Sequence, residues 1–254
     1  MTAVMMKSTS RAEDAGFLAL ADVATVADQL GADYRLIGGH MVSVLVAVFQ
    51  VKGVPSRETS DADLGAEFSV VGDQRLLDAL TALGYTRPGA SNRFVRPLGD
   101  DQNAVIDVLA PSFTGRHEPN QRHGNLVVDE IPGLLYALGT PPVTVELEAD
   151  LTTGARIEST IRVPSPLPAL CLKLLSWNSR LAAKDATDIW RMLAVCDEAG
   201  ITPSDWPDNG TTRDARAALR KFAGIGGMSR RQLTPDRRIQ VRIRALAHRV
   251  GGLT

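Results

Sequence analysis

The segment that most limits the folds open to this chain is the apolar run "MVSVLVAVFQV", Met41 to Val51. It is too short to cross a bilayer and too apolar to lie on a surface, so it belongs in a core. Just before it stand "DYRLI" and the pair Gly38-Gly39. The β-branched run is compatible with a buried strand. A strand turning through two glycines into a buried helix is the more compact unit, and that is the reading adopted. Strand, glycine turn and buried helix together imply an α/β sheet domain.

Periodicity extends this frame in both directions. "AGFLALADVATVADQLGA" places Phe17, Leu20, Ala24, Ala27 and Leu30 at helical spacing, with Gly31 as a stop. "DADLGAEFSV" alternates as a strand, and "GDQRLLDALTALGY" is an amphipathic helix. "NRFVRP" and "NAVIDVLAP" read as two strands pairing across "LGDDQN". Further strands are expected at "NLVVDE", "VTVELEA" and "ARIESTIRVP". Beyond Pro168 the texture becomes helical, with a break near Ala182–Lys184, and two more helices follow at "TRDARAALRKFAG" and "TPDRRIQVRIRALAHRV". Thr234 and Pro235 read as the start of the last one. The expectation is an α/β (α+β) domain over residues 1–163 and a helical domain over 164–254 that contributes to the same cleft.

Composition removes some functions. A net charge of -1 excludes polyanion binding by bulk charge, so any nucleic-acid contact needs a local patch. Cys171 and Cys196, the two cysteines, suit reduced core thiols. The N-terminal residues lack a signal-peptide core, so a cytoplasmic protein without a membrane segment is expected.

The chemistry concentrates in "SRETSDADLGAE". Asp61 and Asp63 are two residues apart on a strand and share a face. Two carboxylates so placed repel unless a cation lies between them. Asp107 sits in "VIDVL", and an aspartate among apolar neighbours is usually paired or bound. Two same-face carboxylates suit Mg²⁺, a hard cation that keeps substrate phosphates in its shell. A third on a neighbouring strand suits a second metal, or a base for an attacking hydroxyl. A glycine turn opening a helix makes an anion site. Taken singly, a glycine pair is more often a turn, and Asp-x-Asp more often a solvated strand edge.

In combination, "LIGGH", "RETSDADL" and "IDVL" resemble the nucleotidyltransferase superfamily, and most nearly the AbiEii/AbiGii-like toxins with the MenT group. The helical "LCLKLLSWNSRLAAKDATDIWRML" is similar to that group's second signature. The resemblance spans roughly residues 35–195. It implies an enzyme that moves a nucleotidyl group from an NTP to a hydroxyl with release of pyrophosphate, using Mg²⁺ or Mn²⁺. By the same resemblance Asp61, Asp63 and Asp107 hold metal, with Asp107 alternatively the base. Gly38, Gly39, His40, Arg57, Lys173, Arg180 and Lys184 meet the nucleotide, and Asp185 and Asp188 order the site. His40 departs from the family, which commonly has a small Ser or Thr there. The implied acceptor is tRNA or a protein, and the implied role a toxin with an antitoxin partner. A small-molecule, antibiotic-type acceptor is the alternative within enzymes; a catalytically silent nucleotide- or partner-binding protein is the alternative outside them.

The remaining features have readings of their own. If residues 170–193 form one helix, Lys173, Arg180 and Lys184 share a stripe, which a solvated face explains as well as a phosphate site does. If the helix breaks, Asp185 reads equally as an N-cap. Arg230, Arg231, Arg237, Arg238, Arg242, Arg244 and Arg249 make one basic segment, read as a solvated helix face or as an RNA-backbone contact. His117, His123 and His248 have no ligand-spaced partners, and "AGIGGM" lacks the strand context of a dinucleotide loop. Trp177 and Trp190 read as packing residues. Arg57 and Thr59 are expected to hold their loop through hydrogen bonds.

Overall fold

The computed structural model describes residues 2–89, 91–99, 101–224 and 233–253. Arg230, Arg231 and most of "AGIGGM" lie outside the described residues. The chain runs β1 (Thr2–Lys7), α1 (Arg11–Leu30), β2 (Tyr34–Ile37), α2 (Gly38–Val48), β3 (Asp61–Ala66), α3 (Phe68–Val71), α4 (Gln74–Ala82), β4 (Arg93–Gly99), β5 (Gln102–Pro111), β6 (Glu118–His123), β7 (Leu126–Ile131), α5 (Leu134–Leu138), β8 (Val143–Asp150) and β9 (Arg156–Val163). The helical part follows as α6 (Pro166–Arg180), α7 (Ala183–Glu198), α8 (Gly210–Ala223) and α9 (Arg237–Gly251). This is the expected class: a mixed α/β sheet with flanking helices and a C-terminal helical region.

A six-stranded sheet is built around β5. One edge of β5 pairs in parallel with β3, which in turn pairs antiparallel with β2. The other edge takes β4, antiparallel, along its first half and β7, parallel, along its last residues. β6 closes that side against β7. A second sheet, β1-β8-β9, has three strands. Side chains of α1 such as Phe17, Leu20 and Val23 are buried together with Leu64, Ile106 and Val108 of the sheet.

The apolar run does form a helix. Gly38 has φ 75, a backbone state open to glycine, and α2 begins there with no side chain capping it. Met41, Val42, Val44 and Leu45 are fully buried, and α2 packs on α6 and α7 as well as on β3. The same helix therefore joins the sheet to the helical part.

Several local expectations change. β6 is a polar strand held by ladder pairing, so periodicity does not announce it, and β1, whose Val4 and Met6 pack against the core, was not expected either. The strand opened by Asp61 stops at Ala66, and Phe68–Val71 is a helical turn. The segment 170–193 is two helices, not one: Leu181 has φ 53 and ends α6, so Lys184 leaves the stripe of Lys173 and Arg180. Asp185 is not the cap of α7, because Ala182 occupies that position. α9 is capped by Asp236, whose side chain accepts from the Arg238 N–H, rather than by Thr234. Both cysteines are free, buried thiols, and burial pushes both up from the usual thiol range. Trp177 packs edge-on against Phe222. Among the described residues no helix is long and apolar enough to cross a membrane.

Candidate active site

Strand register brings the carboxylates together. Asp63 stands opposite Asp107 across the β3–β5 ladder, and Asp61 opposite Val105, two residues back. All three carboxylates therefore project from one face of the sheet. The Asp63 carboxyl is raised from 3.8 to about 7, first by burial and then by the charges of Asp61 and Asp107. Glycine makes this placement possible. A Cβ on Gly38 would lie 1.7 Å from Asp63 Oδ2, so the carboxylate rests against the uncapped start of α2. That end of a helix favours negative charge.

Asp107 has a different environment. Arg93 is its partner in the β4–β5 register, and the guanidinium grips it with both arms: Nε donates to Oδ1 at 2.9 Å and Nη2 to Oδ2 at 2.7 Å. Asp61 and Asp63 have no hydrogen-bond or ion-pair partner among the described residues. Nor do three or more His, Cys, Asp or Glu side chains there stand close enough together to hold one metal ion. The fit for a divalent cation is thus a two-carboxylate one. Asp61 and Asp63 offer unpartnered hard oxygens on one face, while the third expected ligand is already engaged.

The cleft above these residues has a volume of about 360 Å³ and is lined on one side by Gly38, Asp63 and Asp107, on the other by Lys173, Ser176, Ser179 and Arg180. It lies in the usual size range of small-molecule sites. Each cation is steadied from behind. Lys173 donates to Asp188 Oδ2 at 2.9 Å, and Arg180 grips Asp185 at 2.5 and 2.7 Å. Asp185 and Asp188 are buried, so they touch cations rather than the cleft. Asp188 is a hub: Arg57 approaches it to 3.5 Å and Arg191 to 3.6 Å. Arg191 in turn donates to Ser43 Oγ of α2. Three cations share one fully buried carboxylate, which leaves an excess of positive charge behind Lys173.

Other expected residues lie elsewhere. His40 does not line the cleft. It is buried against Phe17, its Nε2 has no partner among the described residues, and burial pushes it down to about 4, so it is a neutral core imidazole. Gly39 is a packing glycine: a Cβ there would meet Arg57 and Thr59 at 2.4 Å. Arg57 does hold its loop, donating to Thr59 at 3.2 Å. Arg57 and Lys184 line a separate cavity with Trp190. Two cleft features were missed. Arg93 was legible in outline, since the hairpin "NRFVRPLGDDQNAVID" sets it across from Asp107. His117 and Asp129, which meet at 3.2 Å on the far wall, were hidden because β6 shows no strand pattern.

No family model matches the chain, and no curated protein sequence matches it. Among solved structures, an antigenic nucleotidyltransferase-like protein from Paracoccidioides brasiliensis is similar over 84% of this chain and 89% of its own, at 17% identity and a TM-score of 0.49. The antibiotic-resistance factor ANT(2'')-Ia in solution is similar over 80% and 90%, at 14% identity and a TM-score of 0.42. The same factor in complex with adenylyl-2''-tobramycin gives 88% and 94%, at 15% identity and a TM-score of 0.32. At these scores the cleft has to be understood from its own residues.

Proposed function

We propose that the protein is a divalent-metal-dependent nucleotidyltransferase that moves a nucleotidyl group from an NTP to a hydroxyl of a small, amine-bearing acceptor. The observation that carries this reading is that Asp63 and Asp107, which share a sheet face with Asp61, are set across one cleft from Lys173 and Arg180. Lys173 and Arg180 draw the phosphates in, reinforced by the positive surplus around Asp188. Asp61 and Asp63 would hold Mg²⁺ or Mn²⁺, which when bound offsets phosphate charge and polarises the phosphoryl group. Asp63 must give up its proton for this, and with a carboxyl at about 7 it does so readily beside a cation. Asp107 takes the proton of the acceptor hydroxyl. Arg93 uses one lone pair on each of its oxygens and leaves the others free. The acceptor oxygen then bonds to the α-phosphorus as the bond to pyrophosphate breaks.

Beyond Asp107 the described residues that line the wall include Asp129 and His117 and no lysine or arginine. This supports a cationic acceptor. Incubation with Mg²⁺, each α-labelled NTP and a panel of aminoglycosides, total RNA and cell extract is the test, with Asp61→Ala/Asp63→Ala as control. Label on an aminoglycoside supports the proposal. Label on RNA or protein transfers it to the toxin reading, and no label in any fraction from a folded protein favours a silent binding protein. The toxin reading has one feature in its favour. Arg237, Arg238 and Arg244 of α9 are exposed, whereas Arg242 and Arg249 are spent on the Lys52 and Gly53 carbonyls and on Asp197.

A further inference from the structure

In two-metal phosphoryl transfer, paired ions about 3.5–4 Å apart clamp the attacking and leaving oxygens. Here three carboxylates share the sheet face, yet only two of them are unpartnered. Arg93 is the partner of the third in two senses. It lies opposite Asp107 in the ladder, and its guanidinium forms the planar two-bond fork that matches a carboxylate. The side chain of Arg93 is 51% exposed and that of Asp107 12%, so the cation covers the carboxylate from the solvent side. The fields of Asp61 and Asp63 reach Arg93 too, which makes it the resident counter-charge of the trio.

We propose that Arg93 takes the place of a second metal ion, so that this cleft loads a single divalent cation at Asp61 and Asp63 and Asp107 never becomes a ligand. The inference rests on the metal-dependent reading above and deepens it. A guanidinium keeps its charge at every working pH and cannot be chelated away. One half of the charge compensation is thereby built into the chain. Asp107 is held at fixed orientation for its role toward the acceptor hydroxyl, and Arg93 is a positioning residue that acts through it.

Manganese binding tests this without any acceptor. Mn²⁺ is titrated into the protein, alone and with one equivalent of α,β-methylene-ATP, and free ion is counted by its electron paramagnetic resonance signal. The wild type is expected to hold one ion per chain in the nucleotide arm. Arg93→Ala is expected to hold two, Arg93→Lys one, and Arg93→Ala/Asp107→Asn one again. Two ions on the wild type overturn the inference and leave the nucleotidyl-transfer reading standing. One ion on a folded Arg93→Ala variant overturns it equally. A wild type that binds no ion in either arm overturns the metal-dependent reading itself, and this inference with it.

Discussion

Replacing Asp63 by asparagine separates what that carboxylate costs the resting protein from what it gives a cation. The folded-state value near 7 lies above the usual 3.8 because of burial and the charges of Asp61 and Asp107. A group raised in this way contributes stability that is fully present below the unfolded value and is lost as pH rises through the folded one. At about 1.4 kcal/mol per unit, the whole shift corresponds to about 4 kcal/mol. Between pH 5 and pH 8.5 the part still to be lost is about 3 kcal/mol, because unfolded aspartate is already ionised at pH 5. Urea unfolding of wild type and Asp63→Asn at both pH values, without divalent cation, measures it. The difference in stability between the two proteins should move in favour of the variant by about that amount on going to pH 8.5. Millimolar Mg²⁺ should then stabilise the wild type at pH 8.5 and leave the variant unmoved. An unchanged difference across the two pH values would refute the claim that the carboxylates crowd one another. Equal stabilisation of both proteins by Mg²⁺ would refute the cation site.

Three further outcomes are expected. Asp188→Asn leaves Lys173 and Arg191 buried without their counter-charge, and should lower unfolding free energy by about 3–5 kcal/mol, read from the urea midpoint; a loss under 1 kcal/mol would show that the hub is not what steadies Lys173. Gly38→Ala forces a side chain into a left-handed backbone state and onto the Asp63 carboxylate, so it should cost more than about 1 kcal/mol and also weaken Mn²⁺ binding. Wild-type Mn²⁺ affinity in that variant would detach the glycine turn from the site. Charge reversal of Arg237 and Arg238 should leave nucleotidyl transfer to a small acceptor unchanged, and a loss confined to RNA acceptors in low salt would revive the toxin reading.

The parts of the fold that bury apolar surface were readable, because burial imposes periodicity. α2 was found from the Met41–Val51 run, and the β4–β5 hairpin from two alternating strands flanking "LGDDQN". β6 was not, since its stability comes from pairing with β7 and leaves no mark on side-chain pattern, and in β1 only Val4 and Met6 alternate toward the core, too short a run to stand out. The carboxylate face followed from residue type and spacing. What spacing cannot give is which cation each carboxylate meets. Asp185 and Asp188 look alike in "KDATDIW", yet one binds Arg180 at the cleft rim and the other gathers Lys173, Arg57 and Arg191 inside. His40 shows the converse. Its place after the glycines suggested a phosphate contact, but on a buried helix that position faces α1 and Phe17.

The hub at Asp188 also bears on how the cleft comes into being. Its partners are separated by most of the chain: Arg57 precedes the first site strand, Lys173 belongs to α6, and Arg191 reaches back to Ser43. Contacts of such separation form only after the intervening chain has closed, so they are late events in folding. A fragment ending at residue 163 keeps Asp61, Asp63 and Asp107 but has no lysine to face them. A fragment beginning at residue 164 keeps Lys173 and Asp188 but has nothing to act on. The two halves share one ionic knot, and the cleft exists only in the uncut chain.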